Sequence, residues 1–77
     1  MKEKKIRLSS RQDVAEFVDA AGNCDFEINV GYDRVIIDAK SLLGMLGLGF
    51  SRILNVKYKG TNEQFEQALE KYEVACE

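Results

Sequence analysis

The stretch from Lys40 to Phe50 constrains the fold of this chain more than any other. After Lys40 it is the longest uncharged run, and it consists almost entirely of large apolar residues and glycines. Ser41 can cap a helix, whereas the glycines at positions 47 and 49 are poor helix formers. The pattern predicts a short apolar helix that begins at Ser41 and ends at Gly47. The segments on either side are expected to form the scaffold that presents this helix.

Alternation of apolar and polar residues with a period of two predicts four strands. They are expected over residues 4–8, 26–32, 35–39 and 52–59. The middle two strands are separated only by Asp33 and Arg34, which is short enough for a hairpin although the Asn-Gly or Asp-Gly signal is missing. Val35, Ile37 and Ala39 are expected to form the inward face of the third strand.

Apolar residues spaced three and four apart predict a helix on either side of these strands. The first helix begins at Ser10, which together with Asp13 resembles a capping box, and ends at Gly22, where a left-handed conformation is available. The last helix is expected to follow Thr61 as its N-cap. The two apolar stripes consist of Val14, Phe17, Val18 and Ala21, and of Phe65, Leu69, Tyr72 and Cys76.

The predicted elements therefore follow the order βαββαβα. Two β-α-β units of this kind form an α+β fold, in which a four-stranded antiparallel sheet carries three helices on one face. The other face of the sheet is expected to be exposed to solvent. We expect residues 1–77 to form one small domain.

Composition excludes several classes of function. The chain has no histidine, which rules out histidine as a general base, as a metal ligand or as a carrier of phosphate. Cys24 and Cys76 are far apart and lack the spacing of a metal site, so both are interpreted as small buried apolar residues. The sequence predicts no catalytic residues, no metal site and no cofactor, and therefore no enzyme.

Charge and hydropathy indicate neither nucleic acid nor membrane as a partner. The net charge is −2, and no apolar run approaches the length of a membrane-spanning helix. The basic residues after Met1 are not followed by the apolar core of a signal peptide. We expect a soluble, cytoplasmic protein.

From about Val18 to its C-terminus the chain resembles the HPr family, the phosphocarriers of the bacterial sugar phosphotransferase system. The resemblance centres on residues 39–49, where the family has lysine, serine, two apolar residues, glycine, two more apolar residues, a small residue, leucine and glycine. The family also has the predicted order of elements. The resemblance implies a bacterial protein with the HPr-like open-faced sandwich.

The start of the first helix departs from the family pattern, which has a histidine there, followed by a small residue, an arginine and a proline. Without a gap, these positions fall on Ser10, Arg11, Gln12 and Asp13. A phosphoserine ester at Ser10 would be too stable to pass its phosphate onward, so histidine-type carrier activity is not expected. Ser10 is interpreted as an N-cap. The alternative is an anion site formed by Ser10 and Arg11 at the helix start.

Ser41 has two compatible interpretations. From the residues alone it is an N-cap. The resemblance adds a regulatory phosphorylation site, because the corresponding serine of Gram-positive HPr proteins is phosphorylated by a dedicated kinase. A phosphate on Ser41 would lie at the positive end of the helix dipole, with Lys40 beside it.

The helix after Ser41 carries more apolar side chains than a helix of two turns can bury. The core is expected to take Met45 and one of its neighbours, together with Leu48 and Phe50. In the family, the remaining apolar positions form an exposed surface on which partner proteins dock. The resemblance therefore implies a partner-binding surface that consists of Lys40, Leu42, Leu43 and Leu46.

The predicted function is that of a regulatory or adaptor protein, similar to the catabolite-repression HPr homologue, which also lacks the histidine. Its partners would be an HPr-type kinase or a transcription regulator. The alternative is a plain protein-interaction domain that uses the apolar helix without phosphorylation. A weak homodimer is compatible with either hypothesis.

Overall fold

The computed structural model of the chain describes residues 2–74 and has the predicted order of elements. In chain order these are β1 (Lys2–Arg7), α1 (Arg11–Gly22), β2 (Ile28–Tyr32), β3 (Val35–Asp38), α2 (Leu42–Gly47), β4 (Ile53–Tyr58) and α3 (Glu63–Tyr72). The predicted α+β open-faced sandwich is confirmed. None of the helices in residues 2–74 is long and apolar enough to cross a membrane.

The four strands form one antiparallel sheet in the order β1-β4-β2-β3. Val30 of β2 lies at its centre, where it pairs with Val56 of β4 on one side and with Ile37 of β3 on the other. Val30 and Val56 are fully buried, whereas the alternate residues of β4 are partly or largely exposed. One face of the sheet therefore holds the core, and strands β1 and β3 form its two edges.

An aromatic cluster fixes the helices on the buried face. The ring of Phe65 in α3 meets Tyr58 of β4 edge-on at 5.2 Å between centroids, and Phe17 of α1 at 5.8 Å. Phe26 stacks on Tyr58 at 6.2 Å and also meets Phe65 edge-on at 6.4 Å. Each such pair contributes about 1 kcal/mol beyond the area that it buries. The cluster joins α1, α3 and strand β4 into one core.

The Tyr58 hydroxyl is the polar end of this cluster. It donates a hydrogen bond to Glu66 of α3 at 2.8 Å. Burial, and then the hydrogen bond to the Glu66 carboxylate, raise the pKa of Tyr58, so the hydroxyl stays protonated and can donate. The hydrogen bond therefore gives a buried polar group its partner and adds a second link between α3 and the sheet.

Two predicted helix boundaries are wrong. α3 is capped by Asn62 instead of Thr61, because the extended backbone at Asn62 directs its Oδ1 to the Phe65 N–H at 3.0 Å. At the end of α1, Gly22 is the last helical residue and needs no left-handed conformation. The C-cap is Asn23, which has a right-handed φ of −84° and donates its N–H to Ala20 and Ala21 carbonyls.

Other differences concern single side chains and strand ends. Phe50 was expected in the core but is 44% exposed, because it lies in a turn between two left-handed residues, Gly49 and Ser51. Val35 was expected to face inward but is 47% exposed, since β3 is an edge strand. β1 ends one residue earlier than predicted and β2 begins two residues later. The predicted role of Cys76 falls outside the described residues.

The cap of α3 can be tested with a matched pair of variants. Asn62→Ala removes the acceptor for the Phe65 N–H and should lower the free energy of unfolding by about 1 kcal/mol. Thr61→Ala removes only an exposed hydrogen bond from Lys2 and should change it by less than about 0.5 kcal/mol. Urea denaturation followed by circular dichroism measures both. A larger loss in Thr61→Ala would mean that Thr61 is the cap after all.

Candidate functional site

Ser41 lies at the surface, at the N-cap of α2. Its backbone is extended, and its Oγ accepts the Gly44 N–H at 3.2 Å. The backbone is held on both sides, because the Ser41 N–H donates to the Asp38 carbonyl at 3.0 Å and the Met45 N–H donates to the Ser41 carbonyl at 2.9 Å. The predicted N-cap is confirmed. The hydroxyl is thus exposed on a backbone that is fixed in place.

Lys40 connects the start of α2 to the end of α1. Its N–H donates to the Asp38 carboxylate at 2.9 Å, and its ammonium donates to the Cys24 carbonyl, also at 2.9 Å. We expected the Lys40 charge beside Ser41. The ammonium instead already has a backbone partner, so it is not simply available to a group on Ser41.

The side chains of α2 divide between the core and solvent. Met45 is buried, and Leu46 is partly buried against the core. Leu42 is 43% exposed and Leu43 is 83% exposed. Met45 is directed to the core as expected, whereas Leu46, which was expected on the docking surface, is only partly exposed because it packs against the core. Of the expected docking residues, Leu43 is the most accessible apolar side chain.

Gly44 allows α2 to lie close to β3. A Cβ at this position would come within 2.7 Å of the Ile37 Cγ2 and 3.1 Å of the Ser41 Oγ. No real Cβ tolerates the first contact, so a side chain would force α2 away from β3. The glycine is therefore required by packing, as expected, and not by a bound phosphate.

A depression of about 450 Å³ lies beside α2. Leu43 and Gly44 form one wall, and β2 and β3 contribute the other. Arg52 closes one end, where its guanidinium lies 4.7 Å from the centre of the Tyr32 ring. Sequence reasoning missed this groove, because no local pattern brings Tyr32 next to Arg52. Its lining residues are Tyr32, Val35, Ile37, Leu43, Gly44, Gly47, Leu48 and Arg52.

Ser10 caps α1 in the same way that Ser41 caps α2. Its Oγ accepts the Asp13 N–H at 3.2 Å, while the Asp13 carboxylate accepts the Ser9 N–H at 3.2 Å. The predicted N-cap thus exists, but the return bond of the capping box goes to the N–H of Ser9 and not to that of Ser10. Asp13 places a negative charge in the first turn of α1, whereas the first turn of α2 carries none. Asp13 therefore opposes an anion at Ser10 and Arg11, although the Arg11 charge in the same turn favours one, whereas the first turn of α2 carries neither charge.

The described residues offer little for covalent or metal chemistry. Residues 2–74 contain no group of three or more histidine, cysteine or acidic side chains that could hold a metal ion. Cys24 is buried, as predicted, and its thiol donates to the Ala20 carbonyl at 3.6 Å between sulfur and oxygen. Burial raises the pKa of the Cys24 thiol, which makes it a poor nucleophile.

Comparison with known proteins gives a family and a fold. The sequence model of the PTS-HPr family, described as the phosphorylation site of the PTS HPr component, matches residues 10–77. The crystal structure of HPr-C-His from Thermoanaerobacter tengcongensis is 28% identical, with a TM-score of 0.73 over 92% of this chain and 89% of that one. No curated protein matches the chain in sequence.

A second solved structure supports the fold alone. The phosphocarrier protein HPr from Bacillus anthracis strain Ames is 23% identical, with a TM-score of 0.67 over 91% of this chain and 89% of that one. Both alignments span most of this chain and most of the solved chain. The predicted HPr-like arrangement of strands and helices is therefore confirmed.

The contact between α2 and β3 can be tested with two glycines of the same helix. Gly44→Ala drives a methyl group into Ile37 and should lower the free energy of unfolding by about 1–3 kcal/mol. Gly47→Ala meets nothing within 4 Å and should be neutral or stabilise the protein by up to about 1 kcal/mol. Thermal and urea unfolding measure both. Equal effects would show that α2 does not depend on its close approach to β3.

Proposed function

Because the chain belongs to the PTS-HPr family, we propose that it is a regulatory or adaptor domain that acts through Ser41 and α2. We define its partner surface as Leu42, Leu43 and Leu46 with Lys40 at the start of the helix. In this proposal the 77 residues form a single bacterial, cytoplasmic domain. It uses no cofactor and catalyses no reaction.

One observation carries the proposal: an accessible serine hydroxyl adjoins an accessible apolar surface. Ser41 is exposed, and Leu43, only two residues further on, is 83% exposed. A phosphate on Ser41 would add negative charge at the edge of the surface on which a partner docks. Modification of one residue could therefore change partner choice without refolding the domain.

Electrostatics favours Ser41 over Ser10 as the modified residue. A phosphate at either N-cap lies at the positive end of a helix. At Ser10 it would meet the carboxylate of Asp13, a first-turn residue that already accepts the Ser9 N–H. The first turn of α2 has no acidic residue. The phosphorylated state should therefore disturb the protein less at Ser41.

Phosphate transfer of the family's type is not part of the proposed function. The chain contains no histidine. Its buried cysteine, Cys24, has a raised pKa and lies away from the surface. A serine ester does not pass phosphate onward readily, so a phosphate on Ser41 would act as a signal. The proposed partners are an HPr-type kinase and a transcription regulator.

A plain interaction domain is the second candidate. It is favoured by the exposure of Leu43 in the unmodified protein and by the groove beside it, which together form an apolar surface without any phosphate. Exposed apolar side chains next to a concave surface are typical of protein-binding sites. In this case Ser41 would serve only as the cap of α2.

The regulatory form predicts selective phosphorylation of Ser41. The purified protein is incubated with an HPr-type kinase and ATP, and the product is analysed by intact-mass and peptide mass spectrometry. The wild-type protein and Ser10→Ala should gain one phosphate, while Ser41→Ala should gain none. Ser10→Ala is a matched control, because it also removes an N-cap hydroxyl and should cost about 1 kcal/mol of stability, as Ser41→Ala does.

An unmodified wild-type protein, or a phosphate that persists in Ser41→Ala, would contradict the regulatory form. The plain interaction domain would then be the remaining candidate. Circular dichroism of both alanine variants shows whether a negative result reflects a loss of folding.

The partner surface predicts that one exposed leucine controls binding. Leu43→Asp should weaken binding to the kinase or regulator by at least about tenfold, as expected when an apolar anchor is replaced by a charge. Ile53→Asp is the control, because Ile53 is an exposed apolar residue in β4 and lies outside the partner surface. Titration calorimetry measures both variants. Equal weakening, or none in Leu43→Asp, would contradict this assignment. Leu46 is less suitable because it is partly buried.

A further inference from the structure

The two edges of the sheet are protected very differently. The β1 edge is covered by the segment after α3, where the Val74 N–H donates to the Lys5 carbonyl at 3.0 Å and Glu73 forms a bridge with Ile6. β1 also carries three lysines and an arginine. Lysines and covering segments are the usual means by which proteins prevent an edge strand from pairing with another chain.

The β3 edge has fewer protections, and only its last carbonyl, that of Asp38, is bonded to a following residue, Ser41. Val35, Ile36 and Ile37 form a continuous apolar run, in which Ile36 is 73% exposed. The strand contains no lysine, and the chain contains no proline. Residue pairing with β2 is regular from Tyr32–Val35 to Asn29–Asp38, so no bulge turns the edge away. Such an edge is competent to pair with a further strand.

The alternation of hydrogen bonds shows which backbone groups face outward. The Ala39 N–H donates to the Ile28 carbonyl at 3.0 Å, so Ala39 faces β2. In an antiparallel ladder the backbone N–H and C=O of every second residue point to the neighbouring strand. Those of Ile37 and Val35 therefore also point to β2, whereas the N–H and C=O of Ile36 point away from it. The Asp38 carbonyl also faces outward, where it accepts the Ser41 N–H.

We propose that the β3 edge binds a second copy of this chain, with the two β3 strands antiparallel and Ile36 on the two-fold axis. The two Ile36 residues would then exchange a pair of N–H···O=C hydrogen bonds, and the two four-stranded sheets would become one continuous sheet. The pairing is self-complementary, so it closes as a dimer and does not propagate.

Charge complementarity favours this occupant and this register. With Ile36 opposite Ile36 of the partner subunit, Arg34 lies opposite Asp38 of the partner subunit, and the same pair recurs at the other end. Both residues are exposed, and neither forms a salt bridge within residues 2–74. The Asp38 carboxylate accepts one N–H, from Lys40, and retains capacity for a further donor. Opposite charges thus flank an apolar centre.

The interface is small, so the dimer is expected to be weak. Only Arg34 to Asp38 takes part, and stable protein interfaces usually involve about 20–30 residues on each side. Association should therefore appear between about 10 μM and about 1 mM. The surface does not include the Ser41 hydroxyl or Leu43, so the dimer proposal does not rest on the proposed function.

Sedimentation over that concentration range tests the surface. The wild-type protein should shift reversibly from monomer to dimer, and Ile36→Lys should weaken the association by at least about tenfold. The control is Ile53→Lys, which introduces the same charge at an exposed isoleucine of β4 and should dimerise like wild type. A monomeric wild type at about 1 mM, or equal effects of the two variants, would overturn the proposal.

Cysteine cross-linking tests the register even if Ile36→Lys does not fold. In a Cys76→Ser background, Ile36→Cys should form a disulfide-linked dimer under mild oxidation, because directly paired residues have Cα atoms about 5.5 Å apart, within the range for a disulfide. Ile53→Cys in the same background should stay monomeric. A dimer that cross-links equally well through residue 53, or a β3 edge that binds only an unrelated extended peptide, would exclude the second copy in this register.

Discussion

The close contact between α2 and β3 is the constraint on which the position of the proposed partner surface depends. Gly44 lets the helix approach Ile37 so closely that a Cβ would lie 2.7 Å from it. With the helix in this position, Met45 is buried, and Leu43 is directed to solvent. A more distant α2 would leave Met45 without its core environment, at a cost of about 2–3 kcal/mol for a side chain of that size. The exposure of Leu43 is thus a consequence of the packing of the opposite face of α2 against β3 and the core.

Local sequence patterns were sufficient to predict the order of elements and two of the three helix caps. Ser10 and Ser41 were predictable because an N-cap depends on residues only three positions apart. Thr61 and Asn62 could both serve as caps, and only the backbone geometry distinguishes them. The exposure of Phe50 and the contact of Arg52 with Tyr32 depend on turns and on residues distant in sequence. No local pattern contains that information.

The two N-cap serines show how neighbouring charges separate residues with the same backbone role. Each Oγ accepts an N–H at 3.2 Å from the residue three positions further on. In α1 that residue is Asp13, whose own carboxylate occupies the positive end of the helix. In α2 it is Gly44, which supplies the N–H without adding charge or bulk. The same cap chemistry therefore places a carboxylate in the first turn of α1 and none in the first turn of α2.

The partner surface and the β3 edge are different surfaces, but they are neighbours. Val35 lines the groove beside Leu43, and it also belongs to the edge strand. A second copy bound at the edge would therefore lie close to a partner bound at α2, and each could hinder the other without sharing a hydrogen bond. The affinity of a partner for α2 is therefore unaffected by the β3 edge only at protein concentrations where the chain is monomeric. A change in partner affinity with protein concentration would then measure the coupling between the two surfaces, because coupling is reciprocal.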